Sequence, residues 1–497
     1  MTEPVRHGRA RRAATSFLKW VFFIVGGAIG AVFGILLLRA FDARRQPPLK
    51  PWHEPLEHEA RAKDLPETAT LADYLRIEDA AFREMNEKVL PKTAPEDRTP
   101  ANRYWPDSPI NPERFPKNWN RTYELLPDGE PRGGALLIHG LSDAPYSVKA
   151  DAEELRRLGY YALVLRMPGH GTVPGALTKA RWEDWRAAVR LGARHVRQKI
   201  GDRPFVLAGY SNGGALSVQY GLDSSAPGSK LPKPDRIVLF SPMIGVSPFA
   251  VLARVVAWIG AIPYFEQSRW TDIQPEYIAF KYNSFPAFAG QQTAVLTRRI
   301  ARGVREASAS GAIAKMPPIL AFVSLVDSTV LTWATIDRLF AYLPENGSEL
   351  VLYDLNRSAI VQTFLRRTYA AEVAALFHDA KRPYKLTMIT NANPGTRDVV
   401  AKTAAPRSTG IEEAALGLAW PPQIFSLSHL AVPFAPDDAL FGINPDLSVA
   451  YGPRLGQFAP RGEKGVLDVP IDQFMRLNCN PFFSYQLERM RQFVPKP

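Results

Sequence analysis

The chain has 497 residues, 46% apolar and 22% charged, which is long enough to bury a large core and ordinary for a globular protein. Its single cysteine, Cys479, excludes an internal disulfide framework and any thiolate metal cluster. The formal charge of +12 would suit a nucleic-acid partner, but residues 1–50 hold nine Lys/Arg against Glu3 and Asp42, so +7 lies there and only +5 on the rest. With no basic stripe interleaved with aromatics and no nucleic-acid motif, such a partner is not expected.

The first element stands beside that basic excess. Trp20 to Leu38 is a run of nineteen residues without a charge. At 1.5 Å per residue it spans roughly 28 Å, close to a hydrocarbon core of about 30 Å. A secretory signal has a shorter apolar region and a small-residue cleavage site, for which "LLLRAFDARR" is poorly suited. Residues 1–19 are therefore expected to be a basic N-terminal segment and 20–38 a retained transmembrane anchor. Arg6, Arg9, Arg11, Arg12 and Lys19 precede the span, and Arg39, Arg44, Arg45 and Lys50 follow it. That small excess puts the N-terminus inside and the large domain outside the cytoplasm. Gly26, Gly30 and Gly34 share one helix face, a small-residue pattern through which two spans can pack as a homodimer.

Residues 39–120 are expected to be a proline-rich linker and arm with one helix. The stretch 42–66 is dense in proline and charge and reads as a stiff linker leading away from the bilayer. Leu71, Tyr74, Leu75, Phe82, Met85 and Val89 recur at helical spacing, so 69–90 is an amphipathic helix. A second proline-rich stretch, 91–116, leads past Trp105 and Phe115 to Trp119, and is expected to wrap the main domain.

From Arg121 the texture becomes strands alternating with helices. "GGALLIHG", "YYALVLRMPGHG", "PFVLAGYSNGG", "RIVLFSP" and "PILAFVSLVD" are short apolar runs ending in turns. "SVKADAEELRRLG" and "RWEDWRAAVRLGARHVRQKI" are helical. Continuous apolar strands separated by helices predict a mostly parallel sheet covered on both faces, with chemistry at the carboxyl ends of its strands. Residues 242–317, helical in texture and rich in aromatics, are too long for a bare loop and are expected to form a cap over those ends.

Gly209-Tyr210-Ser211-Asn212-Gly213 stands between a buried strand and the helix opening at "GALSVQYGL". A nucleophile elbow needs this arrangement: small residues two before and two after the serine let strand and helix approach. A tight turn alone would also use glycine, but the strand and helix on either side favour a nucleophile. Serine then needs a base held by an acid, and in this fold the order is Ser, acid, His. Of eight histidines only His378 and His429 follow Ser211. His429 lies in a loop with apolar flanks, whereas His378 looks like a polar residue at a helix end, so His429 is the expected base. Asp327 closes a buried strand and is the expected acid, with capping of the next helix as its structural alternative and Asp354 as its rival. The backbone N–H groups of Leu141 and Asn212 are the expected oxyanion hole, and His139 a turn device.

"LLIHGLSDAPYSV", "LRMPGHGT", "AGYSNGG", "FVSLVDSTV" and "SLSHLAVP" resemble the corresponding segments of α/β-hydrolase-fold serine esterases. Within these the resemblance is to the carboxylesterase, monoacylglycerol lipase and serine aminopeptidase group, over about residues 121–440. It implies an α/β-hydrolase domain over 121–497 with Ser211 as nucleophile, His429 as base, Asp327 as acid, and a cap where 242–317 lies. One departure stands out. In compact members the histidine follows the eighth strand within a few residues; here the strand is "SELVLYDL", and an excursion over 356–428, including the strand-like "YKLTMITN", intervenes. The expected activity is hydrolysis of carboxylic esters, lipid-like acyl esters among them, through an acyl-enzyme, with no cofactor and no metal. A peptidase or amidase with the same triad, and a silent hydrolase-fold scaffold, are the alternatives.

Overall fold

The structure, a computed structural model, describes residues 19–31, 33–34, 37–38, 41, 45–245, 263–327, 330–358, 369–422, 424, 426–449, 451–456 and 477–495. The strands in chain order are β1 Tyr123–Leu125, β2 Gly133–Ile138, β3 Tyr160–Leu165, β4 Phe205–Tyr210 and β5 Arg236–Phe240. They continue as β6 Trp270–Asp272, β7 Phe285–Pro286, β8 Ile319–Ser324, β9 Glu349–Tyr353, β10 Lys385–Asn391, β11 Asp398–Ala404 and β12 Glu412–Ala419. Ten of them form one sheet in the order β1-β3-β2-β4-β5-β8-β9-β10-β11-β12, and β6 pairs with β7 apart from it. The neighbours from β3 to β10 pair in parallel, while β1, β11 and β12 are antiparallel.

Every residue of β2, β3, β4, β8 and β9 is buried. Alternate side chains serve opposite layers: Leu136, Ile138 and Leu207 pack with Trp185, Leu216 and Ile300 on one face. Ala135, Leu137, Val206 and Ala208 pack with Leu155, Phe482 and Met490 on the other. This is the mostly parallel, doubly covered sheet the alternation predicts, in the α/β-hydrolase arrangement the resemblance implies. β4 lies inside the sheet, so the turn at its end sits centrally on the carboxyl edge.

The arm differs from expectation. The helix is there, Leu71–Lys88, with the Thr70 hydroxyl accepting the Asp73 N–H at 3.2 Å and the Asp73 carboxylate accepting the Thr70 N–H at 2.8 Å. The stretch from Gln46 onward, however, is not a free linker. The Gln267 side chain donates to the Gln46 and Pro47 carbonyls at 3.1 and 3.2 Å, and Trp52 and Leu56 are buried in a cluster with Phe82 and Tyr104. Charge and proline make this stretch look solvated, but its apolar and acidic residues find partners on the hydrolase domain. Farther on, Trp119 Nε1 donates to Tyr451 Oη at 2.9 Å and Phe115 packs against Phe280, so the second half of the arm does wrap the domain.

The predicted cap is smaller than 242–317. Residues 246–262 lie outside the described residues. The helix Ala287–Ala309 packs beneath the sheet edge on the helix Asn212–Ser225, with Leu296, Ile300 and Val304 in the core. Its apolar residues recur every three or four positions, which buries one helix face in the core layer and makes the helix part of the main domain. Only 263–286, with β6 and β7, remains as a described cap segment. The excursion over 356–428 supplies β10, β11 and β12, which widen the sheet beyond β9. The helix Phe483–Phe493 then closes the second face, with Met490 fully buried.

The predicted anchor is described only in part. Residues 19–31 are helical with Trp20, Phe22, Phe23 and Ile29 exposed, while 32, 35, 36, 39 and 40 lie outside the described residues. Among the described residues no helix is long and apolar enough to cross a membrane.

Candidate active site

Ser211 joins β4 to the helix Asn212–Ser225 at φ 53° and ψ −114°, a backbone conformation that non-glycine residues rarely adopt. Its neighbours hold it there. The Ser211 N–H donates to Phe240 O at 2.9 Å, and its carbonyl accepts the N–H groups of Met243 and Ala215 at 2.9 and 3.1 Å. The flanking glycines are sterically required: a Cβ on Gly209 would stand 2.4 Å from the Gly213 carbonyl oxygen, and one on Gly213 would stand 2.2 Å from that of Ile138. The second contact also shows how near the turn after β2 lies to the start of the elbow helix. Ser211 is 3% exposed, beneath the positive end of that helix.

Asp327 follows β8, and its side chain is 3% exposed. Its carboxylate meets both the following turn and His429. Oδ1 accepts the Val330 N–H at 2.9 Å, as a turn before the helix Thr332–Arg338 requires, and the same oxygen faces His429 Nδ1 at 3.8 Å. The rival acid is committed elsewhere: Asp354 is chelated by Arg357 at 2.7 and 2.9 Å and accepts the Thr390 hydroxyl at 2.6 Å.

His429 opens a short turn, His429–Ala431, whose approach is pinned by the Ser324 hydroxyl donating to Leu427 O at 2.7 Å. The excursion therefore returns to the carboxyl end of β8. The imidazole lies beside the ring of Tyr210, the residue before Ser211, with centroids 6.4 Å apart and planes 20° from parallel. His378 ends the helix Ala370–His378, exposed.

The turn after β2 carries Leu141, 7% exposed, and then Ser142 at φ 62°. Neither the Leu141 nor the Asn212 N–H donates to an acceptor among the described residues. From the cap side Lys281 Nζ reaches Asp143 Oδ1 at 3.1 Å and Ser142 Oγ at 3.2 Å, and the Tyr282 N–H donates to Ser142 O at 2.8 Å. Sequence alone did not reveal Lys281. His139 is the turn device expected: buried, it accepts the Met167 N–H on Nε2 at 3.0 Å and donates from Nδ1 to Gly140 O at 2.8 Å. Among the described residues no cluster could hold a metal ion.

Burial lowers the pKa of His139 to about 3 and that of His53 to about 4, and pushes His170 well below the ordinary value. Each ring is neutral when folded and takes up a proton on unfolding at any pH between its folded value and about 6.5. Their contribution is complete above that pH and is lost as pH falls, by about 1.4 kcal/mol per unit for each ring. Asp151, whose buried carboxyl is pushed well above the usual range, works in the opposite sense, as do the carboxyls of Glu78, Asp143, Glu276 and Asp438 that burial also raises. Urea unfolding at pH 6.5 and 5.5 is expected to show a smaller loss of stability on acidification in His53→Gln than in wild type. An equal loss in both proteins would contradict the buried neutral state of that ring.

A central elbow serine, the Asp327–His429 pair beside Tyr210 and the turn after β2 thus stand at the carboxyl edge of the sheet. Residues 129–355 match the hydrolase family described as serine aminopeptidase, S33. A stretch of 85 residues is 32% identical to the thermostable monoacylglycerol lipase of Bacillus sp. (strain H-257), covering 17% of this chain and 33% of that protein. The chain thus spans about a third of the length of that curated relative. Among solved structures, the monoacylglycerol lipase of Paleococcus ferrophilus is 18% identical with a TM-score of 0.34, covering 47% of this chain and 88% of that one. A soluble variant of the monoglyceride lipase of Saccharomyces cerevisiae is 14% identical with a TM-score of 0.35, covering 47% and 81%. The chain resembles the monoacylglycerol lipase and serine aminopeptidase group of α/β hydrolases.

Proposed function

We propose that this chain is a membrane-anchored serine hydrolase that cleaves carboxylic esters through an acyl-enzyme. The observation that carries the reading is the Asp327–His429 pair, returned by a long excursion to the side of the strained Ser211 elbow. Ser211 Oγ attacks the ester carbonyl while His429 takes its proton, and Asp327 holds the imidazole and stabilises its charged form. The Leu141 and Asn212 N–H groups receive the developing oxyanion, and His429 returns the proton to the leaving alcohol. Water then repeats the sequence on the acyl-enzyme. The curated relative named as a monoacylglycerol lipase favours a lipid-like acyl ester as substrate.

A fluorophosphonate probe should label the full-length protein, and p-nitrophenyl esters of rising chain length should be hydrolysed. Absence of both would leave the silent scaffold as the better reading. The family description as serine aminopeptidase favours one alternative, peptide bonds as substrate. Faster cleavage of an aminoacyl p-nitroanilide than of any ester would establish it.

The exposed apolar side chains of 19–31 support an anchor over 20–38, and the basic residues before it support an inside N-terminus with the hydrolase domain outside the cytoplasm. Nothing lies within 4 Å of a Cβ placed on Gly26, Gly30 or Gly34, which leaves that face available for a homodimer. At Gln46 and Pro47 the arm is already hydrogen-bonded to Gln267 of the hydrolase domain. Removing residues 1–45 is therefore expected to give a soluble, fully active protein, checked by fractionation and ester turnover. Recovery of that truncation in the membrane fraction would mean that the arm or cap itself binds lipid.

A further inference from the structure

Glu59 lies in the N-terminal arm, far along the chain from Ser211, yet it is 3% exposed. Its carboxylate takes three donors: Arg166 Nη2 at 2.5 Å and the Thr172 hydroxyl at 2.8 Å on Oε1, and the Gly169 N–H at 2.8 Å on Oε2. All three belong to the loop 166–172 that follows β3. Arg166 also donates from Nε to His170 O at 2.5 Å, so the loop is cross-tied around the arm carboxylate.

The same loop reaches the oxyanion turn. The Met167 N–H donates to His139 Nε2, which leaves the ring proton on Nδ1, where it is given to Gly140 O. Gly140 C=O and Leu141 N–H are two ends of one peptide group, and the chain has no cis peptide bond among its described residues. In a planar trans peptide the two point in opposite directions, so a grip on the carbonyl sets the direction of the N–H. Burial keeps His139 neutral, so its Nε2 stays an acceptor and the tautomer is fixed.

We infer that Glu59 is a positioning residue for the oxyanion hole, acting through the loop 166–172 and His139 on the Gly140–Leu141 peptide. The inference rests on the proposed serine-hydrolase chemistry, and it makes the arm part of the catalytic apparatus and not only a connection to the anchor. Its chemical logic is that preorganised donors stabilise an oxyanion only if they need not turn at the moment of reaction.

The test uses three variants of the full-length chain: Glu59→Gln, Thr172→Val and Glu84→Gln. Glu84 is a control in the same arm, buried and bonded to the Glu57 and His58 N–H groups, with no bond to the loop 166–172. Ester turnover per labelled active site, KM and the unfolding midpoint are read for each. Losing an oxyanion donor outright costs about 10²–10³ in turnover, so misaiming one should lower kcat about tenfold in Glu59→Gln and about threefold in Thr172→Val. KM should stay within about twofold of wild type, because the ground-state carbonyl relies little on the hole. Glu84→Gln should lower the midpoint and leave kcat unchanged. Should Glu59→Gln not fold, Thr172→Val decides alone by the same kcat and KM criterion. Wild-type kcat in the folded variants of Glu59 and Thr172, with only the midpoint lowered, overturns the inference and leaves the proposed function standing. A kcat loss in Glu84→Gln as large as in Glu59→Gln overturns it too. A wild-type protein that neither labels nor hydrolyses overturns the proposed function, and this inference with it.

Discussion

Ser211→Ala is expected to abolish fluorophosphonate labelling and to lower ester turnover by a factor on the order of 10⁶, with an unfolding midpoint close to wild type. The two halves of that expectation have separate causes. Turnover collapses because the hydroxyl is the atom that forms the acyl bond, and the oxyanion donors and Asp–His pair have nothing to act on without it. Stability is spared because the serine hydroxyl makes no hydrogen bond among the described residues, so removing it leaves no buried donor or acceptor behind. The strain of φ 53° is unchanged, since alanine dislikes that region as much as serine does, and the bonds from Phe240, Met243 and Ala215 that enforce it run through the backbone. Turnover within tenfold of wild type, measured on protein purified free of host esterases, would remove Ser211 from the mechanism.

The elbow could be read from sequence because each of its requirements is local: an apolar strand, a small residue on either side of the serine, and a helix after it. The same holds for the buried strands, whose continuous apolar runs can only be covered on both faces. The packing of the arm was hidden for the opposite reason. Glu59 looks like one more solvated charge in a proline-rich run until Arg166, Gly169 and Thr172 are brought to it from the other side of β3. β12, "EEAALGLA", has no β-branched residue and is exposed along most of its length, so it is a strand only because β11 offers it a ladder. The cap was drawn too large because the aromatics of 263–288 and the core-facing stripe of Ala287–Ala309 look alike as composition. Only the four-residue spacing of Leu296, Ile300 and Val304 separates them.

The return of the histidine was legible as an order and not as a path. Chain order leaves two histidines after Ser211, and the excursion over 356–428 is organised by three added strands, β10 joining β9 across a long connection and β11 and β12 following it as hairpins. What closes the path is a pair of hydrogen bonds. Ser324 Oγ ties Leu427 O to the end of β8, and the Ser428 hydroxyl donates to Leu477 O at 2.9 Å. The segment carrying His429 is thus held at both its approach and its departure, since the Asn480 N–H also donates to Phe434 O at 2.8 Å. A base delivered by so long a detour needs such ties, because each degree of freedom left to the loop lowers the fraction of time the imidazole faces the nucleophile.

His429→Ala is accordingly expected to lose turnover about as severely as Ser211→Ala, while His378→Ala changes it little, because members of a triad fail together. The His429 imidazole stands 3.8 Å from Asp327 and beside Tyr210, whereas His378 is exposed at the end of its helix. Two further readouts separate loss of the base from loss of fold. The alanine variant should keep its unfolding midpoint within a few degrees, the imidazole being partly exposed at 11%. Its residual turnover should rise with pH where wild type has levelled off, since hydroxide then takes over the proton removal that the imidazole performs. Asp327→Asn should fall between the two, keeping the geometry of the pair while losing the charge that stabilises the imidazolium. Equal turnover in His429→Ala and wild type, with His378→Ala inactive, would move the base to the other histidine and require the helix Ala370–His378 to approach Ser211 in the working enzyme.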